Sequence, residues 1–140
     1  MKIRQFRESD TEALIALWRH CELTRPWNAP HLDIERKQSV ADGGFLVAES
    51  DNEIIGSIMT GYDGHRGWVN YLAVSLSQQR TGIGRQLMQA AEKILSNKGC
   101  PKVNLQVRQS NTEVIAFYRA IGYEIDPVVS FGKRLISDSD

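Results

Sequence analysis

The stretch SQQRTGIGRQ, Ser77 to Gln86, restricts the fold more than any other part of the chain. Before it, Trp68 to Leu76 is an apolar run with strand character. After it, Ile83, Leu87, Met88, Ala91, Ile94 and Leu95 recur at helical spacing until Gly99 and Pro101 end the pattern. A glycine-rich joint between a strand and a helix has particular physical properties. Gly82 and Gly84 lack Cβ atoms, so the backbone turns sharply and a ligand approaches it closely. The first helical turn leaves N–H groups unpaired, and the helix dipole adds partial positive charge there. Together these make an anion site, usually for phosphate, and Arg80 and Arg85 add local charge. On the glycines alone, a bare turn into a helix fits equally well.

The remaining elements follow from periodicity and punctuation. Residues 2–6 alternate as a strand, and Ser9 begins an S-x-x-E capping pattern with Glu12. Ala13, Leu14, Leu17, Trp18 and Cys21 form a first helical stripe ending near Glu22. LTRPWNAPHLD interrupts regular structure, and a short second helix is expected from about Leu32 to Ala41. Phe45–Glu49 and Ile54–Thr60 flank Ser50–Glu53 as an antiparallel hairpin. GYDGHRG, Gly61 to Gly67, turns the chain into the third strand of a meander. Lys102–Arg108 alternates as a strand, Asn111–Ile121 is helical up to Gly122, and one or two closing strands are expected in Tyr123–Ile136, broken near Pro127. The polar tail Ser137–Asp140 is expected to fray. The order β-α-α-β-β-β-α-β-α-β predicts a single α/β domain over residues 1–140, with a mixed, mostly antiparallel sheet and helices on both faces.

Composition narrows the function classes. Seventeen basic residues balance seventeen acidic ones, so no net field attracts nucleic acid or anionic lipid, and an anion site must be local. No nucleic-acid or membrane partner is expected. The start, MKIRQFRESD, is unlike a signal peptide, and no apolar run approaches the ~20 residues of a membrane span. A cytoplasmic location is expected. Cys21 and Cys100 lack CxxC spacing and read as reduced thiols. His20, His31 and His65 share no ligand spacing with them, so no metal is expected.

Two familiar phosphate motifs fail. The nucleotide P-loop needs Gly-Lys-Ser/Thr where this chain has Gly84-Arg85-Gln86, and the dinucleotide fingerprint needs a glycine where Leu87 stands. A third pattern fits. Gln79-x-x-Gly82-x-Gly84, preceded by Leu72-Ala73-Val74 and followed by Asn111, Tyr118, Gly122 and Tyr123, resembles the GNAT superfamily of acyl-CoA-dependent N-acetyltransferases over nearly the whole chain. RPWN, DIERK and GYDGHRG resemble its bacterial YpeA-like branch.

The resemblance implies a splayed acetyl-CoA site and no metal. The main-chain N–H groups of Gln79, Arg80, Thr81, Gly82, Ile83 and Gly84 would bind the CoA pyrophosphate, with Thr81, Arg80 and Arg85 adding side-chain contacts. The pantetheine arm would pair with the main chain of Leu72, Ala73 and Val74, as an added strand does. An amide near Leu72 would hold the oxyanion. Asn111 would hydrogen-bond the pantetheine, although it suits a helix N-cap equally. Tyr118 takes the place of the acid that protonates the leaving thiolate, and Tyr123 reads as core. Where relatives carry a glutamate base, this chain has Trp68 and Gln106, neither of which takes a proton near neutral pH. Asp63, His65 and Glu49 are the other base candidates. Trp27, Tyr62, Asp63 and His65, with Arg25 close by, are expected to line the acceptor pocket. The implied partner is a primary amine, and the implied assembly a monomer or homodimer. Two other classes stay open: a CoA-binding regulatory module without transferase activity, and a nucleotide-binding regulator.

Overall fold

The structure is a computed structural model that describes residues 1–139, so Asp140, part of the expected frayed tail, lies outside the described residues. Five strands form one sheet in the order β1 (Lys2–Gln5), β2 (Phe45–Ser50), β3 (Glu53–Tyr62), β4 (Gly67–Val74) and β5 (Val103–Leu105). The first four pair antiparallel, and β5 pairs parallel with β4. Four helices complete the fold: α1 (Thr11–His20), α2 (Pro30–Val40), α3 (Ile83–Asn97) and α4 (Thr112–Ala120).

Period-two alternation in the strands sets the layers. Phe45 and Val47 join α1 and α2 on one face, with Trp18 and Ile34. Leu46 and Ala48 turn to the other face, where Ile83, Leu87 and Met88 of α3 and Tyr118 of α4 pack. The β2–β3 turn carries Asp51 and Asn52 at positive φ, which suits the twist of a two-residue hairpin.

The sheet is interrupted where β4 leaves β5. The β3–β4 register shifts between Ser57 and Met59, and Tyr71 takes φ 52°, a bulge conformation unusual for a bulky side chain. The bulge is satisfied internally. Trp18 Nε1 donates to Ser57 Oγ at 2.9 Å, and Ser57 Oγ donates to the Tyr71 carbonyl at 2.8 Å. Trp18 and Tyr71 stack with centroids 3.9 Å apart.

Three expectations are corrected. Residues 123–136 contain no strand. Pro127 has no N–H to offer a ladder, and the segment is instead held by side chains. Asp126 accepts from Lys102 Nζ at 3.0 Å and Asn104 Nδ2 at 2.9 Å, and Gln106 donates to Ser130. Farther on, Asp138 accepts from Arg36, Arg134 and the Ala29 N–H. Val128, Val129 and Phe131 are left exposed. The strands at either side of the glycine loop and α3 are also shorter than expected. β4 stops at Val74, with a 3-10 turn at Leu76–Gln78, and β5 covers only Val103–Leu105. Finally, Ser9 is not the cap of the first helix. Ser9 lies within a 3-10 turn, Glu8–Asp10, and Asp10 precedes α1 with its carboxylate turned back to the Arg7 N–H at 2.8 Å and to both Arg4 Nη atoms at 2.8 and 3.0 Å, giving the helix no side-chain cap bond.

The Arg4–Asp10 pair is nearly buried and ties β1 to the start of α1, with Glu49 of β2 at 2.9 Å completing it. Removing one partner leaves buried charge underpaired, so Asp10→Asn is expected to cost about 2 kcal/mol or more in urea unfolding with an unchanged slope. The hydrogen bond from Arg4 holds the Asp10 carboxyl below the usual carboxylate range. Its folded-state pKa is therefore the lower one. Its contribution is fully present above the unfolded value of about 4 and is lost as pH falls through the folded value. Acid titration of wild type against Asp10→Asn should show the stability gap closing in that window.

Candidate active site

The glycine loop behaves as its sequence predicts. Gly82 caps α3 with φ 89°, a left-handed conformation that strains any residue with a β-carbon, and nothing lies within 4 Å of where that carbon would sit. Gly84 is glycine for another reason. A β-carbon there would come within 3.3 Å of the Phe117 ring, so α4 packs directly on the start of α3. Gln79 Nε2 donates to the Val74 carbonyl at 3.1 Å and Thr81 Oγ1 donates to the Gln78 carbonyl, closing the loop onto the end of β4. Among the described residues, none of the main-chain N–H groups from Gln79 to Gly84 donates a hydrogen bond within the protein. Gln79 to Gly82 and Arg85 are exposed. Six unspent donors at a helix N-terminus, flanked by Arg80 and Arg85, concentrate positive potential at this loop.

Beside this loop the sheet opens. β4 and β5 pair only at Gly67–Val103, Trp68–Asn104 and Val69–Leu105. Beyond Val69, β4 has no partner on that side among the described residues. The Ser75 N–H donates to the Ile55 carbonyl at 2.8 Å, across to β3. Alternation therefore turns the main-chain groups of Leu72 and Val74 away from β3, toward the opening. The Ala73 side chain belongs to the core. The Val74 carbonyl is already engaged by Gln79 and by the Cys21 Sγ at 3.3 Å. Cys21 and Cys100 are both free thiols.

Tyr118 is buried against the α3 layer, with its ring edge-on to Phe117 and Tyr123. Among the described residues its hydroxyl makes no hydrogen bond, and burial alone pushes it up to about 12. Tyr123 donates to Glu92 Oε2 at 2.6 Å, which fits its reading as a core residue with a satisfied hydroxyl. Asn111 caps α4, its Oδ1 accepting the Val114 N–H.

The expected acceptor residues do not all converge. Tyr62 and Asp63 line a groove of about 250 Å³ beneath α2, together with Lys37, Thr60, Trp68 and Asn70. Trp27 stands apart, half-exposed, 5.9 Å beneath the Arg108 guanidinium. His65 is exposed and outside the groove, and Arg25 donates to carbonyls of its own loop. Asp63 organises its turn, accepting the His65 and Arg66 N–H groups at 2.8 and 2.7 Å and Trp68 Nε1 at 3.3 Å. Those bonds hold its carboxyl below the ordinary range. Glu49 is engaged by Arg4 at the β1 side of the sheet. Gln106 is exposed and bonded to Ser130. Two groups at the opening escaped the sequence reading. Tyr71, on the bulge, donates to Asp33 Oδ2 at 2.6 Å. A tyrosine in an apolar strand and an aspartate in a first helical turn both have ordinary structural explanations, so neither stood out.

Comparison with known proteins settles the class. A family model described as acetyltransferase (GNAT) family matches residues 4–123. The chain belongs to that family. It is 49% identical, over 100% of its own length and 99% of the relative's, to acetyltransferase ECA0875 of Pectobacterium atrosepticum. It is 50% identical, over 100% of its length and 99% of the relative's, to acetyltransferase SG1711 of Sodalis glossinidius. Its fold is similar to that of AAC(6')-Iy in complex with a bisubstrate analogue, CoA-S-monomethyl-acetylneamine, with a TM-score of 0.77 at 22% identity, covering 95% of this chain and 97% of that one. This GNAT chain is a single-domain α/β protein with a mixed five-stranded sheet and four helices. Among the described residues no helix is long and apolar enough to cross a membrane, and no three His, Cys, Asp or Glu side chains gather as metal ligands.

The left-handed Gly82 yields a direct prediction. Gly82→Ala introduces a β-carbon into a conformation that costs an ordinary residue about 1 kcal/mol, with no clash to add. Urea unfolding should show a loss of that size, and a loss near zero would mean the loop relaxes freely.

Proposed function

We propose that this protein transfers an acetyl group from acetyl-CoA to a primary amine, by direct attack in a ternary complex. The observation that carries the reading is the run of six unspent N–H donors beside an unpaired length of β4. The donors from Gln79 to Gly84 suit a pyrophosphate. The open edge at Leu72 and Val74 suits an extended amide chain, which adds to a sheet by main-chain bonding. One cosubstrate carries both groups in that order. Arg80 and Arg85 supply charge to the outer phosphates. Asn111 stands at the start of α4, where its amide nitrogen is free while its oxygen caps the helix.

In this reading the Leu72 amide stabilises negative charge on the thioester oxygen. The amine nitrogen attacks the carbonyl carbon, the C–N bond forms, the C–S bond breaks, the Tyr118 hydroxyl gives its proton to the leaving sulfur, and the proton that the nitrogen sheds returns through water to Tyr118. An ordinary thiol has a pKa of about 8.5, well below Tyr118 at about 12, so in water this transfer would run uphill. The burial that raises Tyr118 also raises a thiolate formed beside it. Burial moves both upward and leaves their order unchanged, so the transfer is carried forward by the proton that the attacking nitrogen sheds. The step as written calls on no metal ion.

The acceptor is a primary amine of a small molecule, an amino acid or a protein, and the groove beneath α2 is its approach. Trp27, Tyr62, Asp63 and His65 belong to that side of the molecule in this proposal, and the site operates in the cytoplasm. RPWN, DIERK and GYDGHRG support a place in the YpeA-like branch as part of this reading.

Tyr118→Phe tests the chemistry. The ring stays, so packing survives. The turnover rate should fall at least ~10-fold while the Michaelis constant for acetyl-CoA changes little, as expected for a contact made in the transition state. Full activity in a folded Tyr118→Phe variant would return Tyr118 to the core. Gly82→Val tests the anion site, and should abolish stabilisation by CoA in thermal unfolding while the variant still folds.

A further inference from the structure

The groove beneath α2 runs along β4 from Trp68 past Asn70, and the next residue of that strand is Tyr71, where the sheet opens. Asp33 and Lys37 lie one turn apart on α2; Lys37 lines the groove, and Asp33, one turn earlier, is bonded to Tyr71 next along β4. The charges around it are largely neutralised in pairs. Lys37 is held by Asp42 at 2.9 Å and by the Thr60 carbonyl. Asp126 is held by Lys102 and Asn104, and Asp63 is committed to its turn. Asp138 takes the short bonds of Arg36, at 2.7 and 3.2 Å, and of Arg134, at 2.7 Å. Among the described residues Asp33 has one neutral donor, the Tyr71 hydroxyl, and a 3.4 Å ion pair with Arg36. Its side chain retains 21% exposure.

We propose that Asp33, oriented by the Tyr71 hydroxyl, receives the positively charged amino group of the acceptor at the mouth of the opening. This rests on the transferase reading above. Capture as a cation, followed by loss of a proton to water, delivers a neutral amine beside the Leu72 amide. Tyr71 is the positioning residue. Its stack on Trp18 and its place on the bulge fix the hydroxyl, and the hydroxyl fixes one carboxylate oxygen. The acceptor class this favours is an amine protonated at neutral pH, with no anionic group close to the nitrogen.

The test compares two nucleophiles with acetyl-CoA, read as thiol release: spermidine, cationic at neutral pH, and hydroxylamine, uncharged there. The wild type should prefer spermidine in kcat/KM. The ratio of the two should fall at least 10-fold in Asp33→Asn and by a smaller factor in Tyr71→Phe, mainly through the KM for spermidine. A distortion of the fold would lower both rates together and leave the ratio in place, which would overturn the proposal. No preference in the wild type, or thiol release with neither amine, would overturn it as well. Stabilisation by CoA in thermal unfolding, followed in parallel, separates the two readings. If it persists while the ratio is unmoved, the acceptor proposal alone fails, and if it is absent from the wild type the transferase reading fails. Should Asp33→Asn not fold, Tyr71→Phe, which removes only a hydroxyl, carries the test.

Discussion

The hydrogen-bonded chain from Trp18 through Ser57 to Tyr71 is the interaction on which the rest of this structure depends. A bulge in a central strand frees a carbonyl from the ladder, and a freed polar group in a core costs about 1–3 kcal/mol unless it is paired. Ser57, wholly buried, pairs it and takes the Trp18 indole N–H in return. Both members of the relay are thus satisfied in one arrangement, with α1 as the support. Past Val69, β4 and β5 no longer pair, and the bulge at Tyr71 follows directly. The bulge also reverses which side chains face which layer. Tyr71 packs with the α1 core, while Leu72 packs with the α3 core.

The proposed anion site is coupled to this opening by packing. Ile83, in the first turn of α3, is buried in the same cluster as Leu87, Ile58 and Tyr118. Phe117 sits against Gly84. A displacement of α4 would therefore move the start of α3 and the hydroxyl of Tyr118 together. Interiors this close-packed transmit such shifts rather than absorb them. With zero formal charge on the chain, the proposed anion site relies on these local donors. Arg80 and Arg85 are exposed, where solvent screens their charge, whereas N–H groups pointing from a fixed backbone need no reorganisation to meet an anion.

Much of this was legible in the sequence because the signals were periodic. The stripe from Ile83 to Leu95 marked α3, and the apolar runs at Phe45–Glu49 and Ile54–Thr60 marked the hairpin of β2 and β3. The loop was legible because glycine at Gly82 and Gly84 is a backbone statement that does not depend on distant partners. The opening between β4 and β5 was reached only through resemblance. Nothing local to Asn70–Val74 marks a bulge, since the residue that stabilises it, Ser57, lies fourteen positions before Tyr71. Ser9 misled for a related reason. The capping pattern weighs a hydroxyl against a nearby glutamate, but Arg4 and the Arg7 N–H, from outside the pattern, hold Asp10 in a 3-10 turn that takes in Ser9.

The segment after Gly122 shows how polar pinning overrides an apolar pattern. Val128, Val129 and Phe131 have the composition of a strand, yet they stay exposed while Asp126, Ser130, Arg134 and Asp138 make the contacts. β5 is three residues long and offers few ladder bonds, whereas Asp138 collects two guanidinium groups and an amide N–H. This arrangement has a consequence for the opposite side of the opening. Arg36 turns its shorter bonds to Asp138, which lies across from its own helix neighbour Asp33. The pinned tail thereby shares the Arg36 guanidinium, whose Nη1 lies 3.2 Å from Asp138 and 3.4 Å from Asp33.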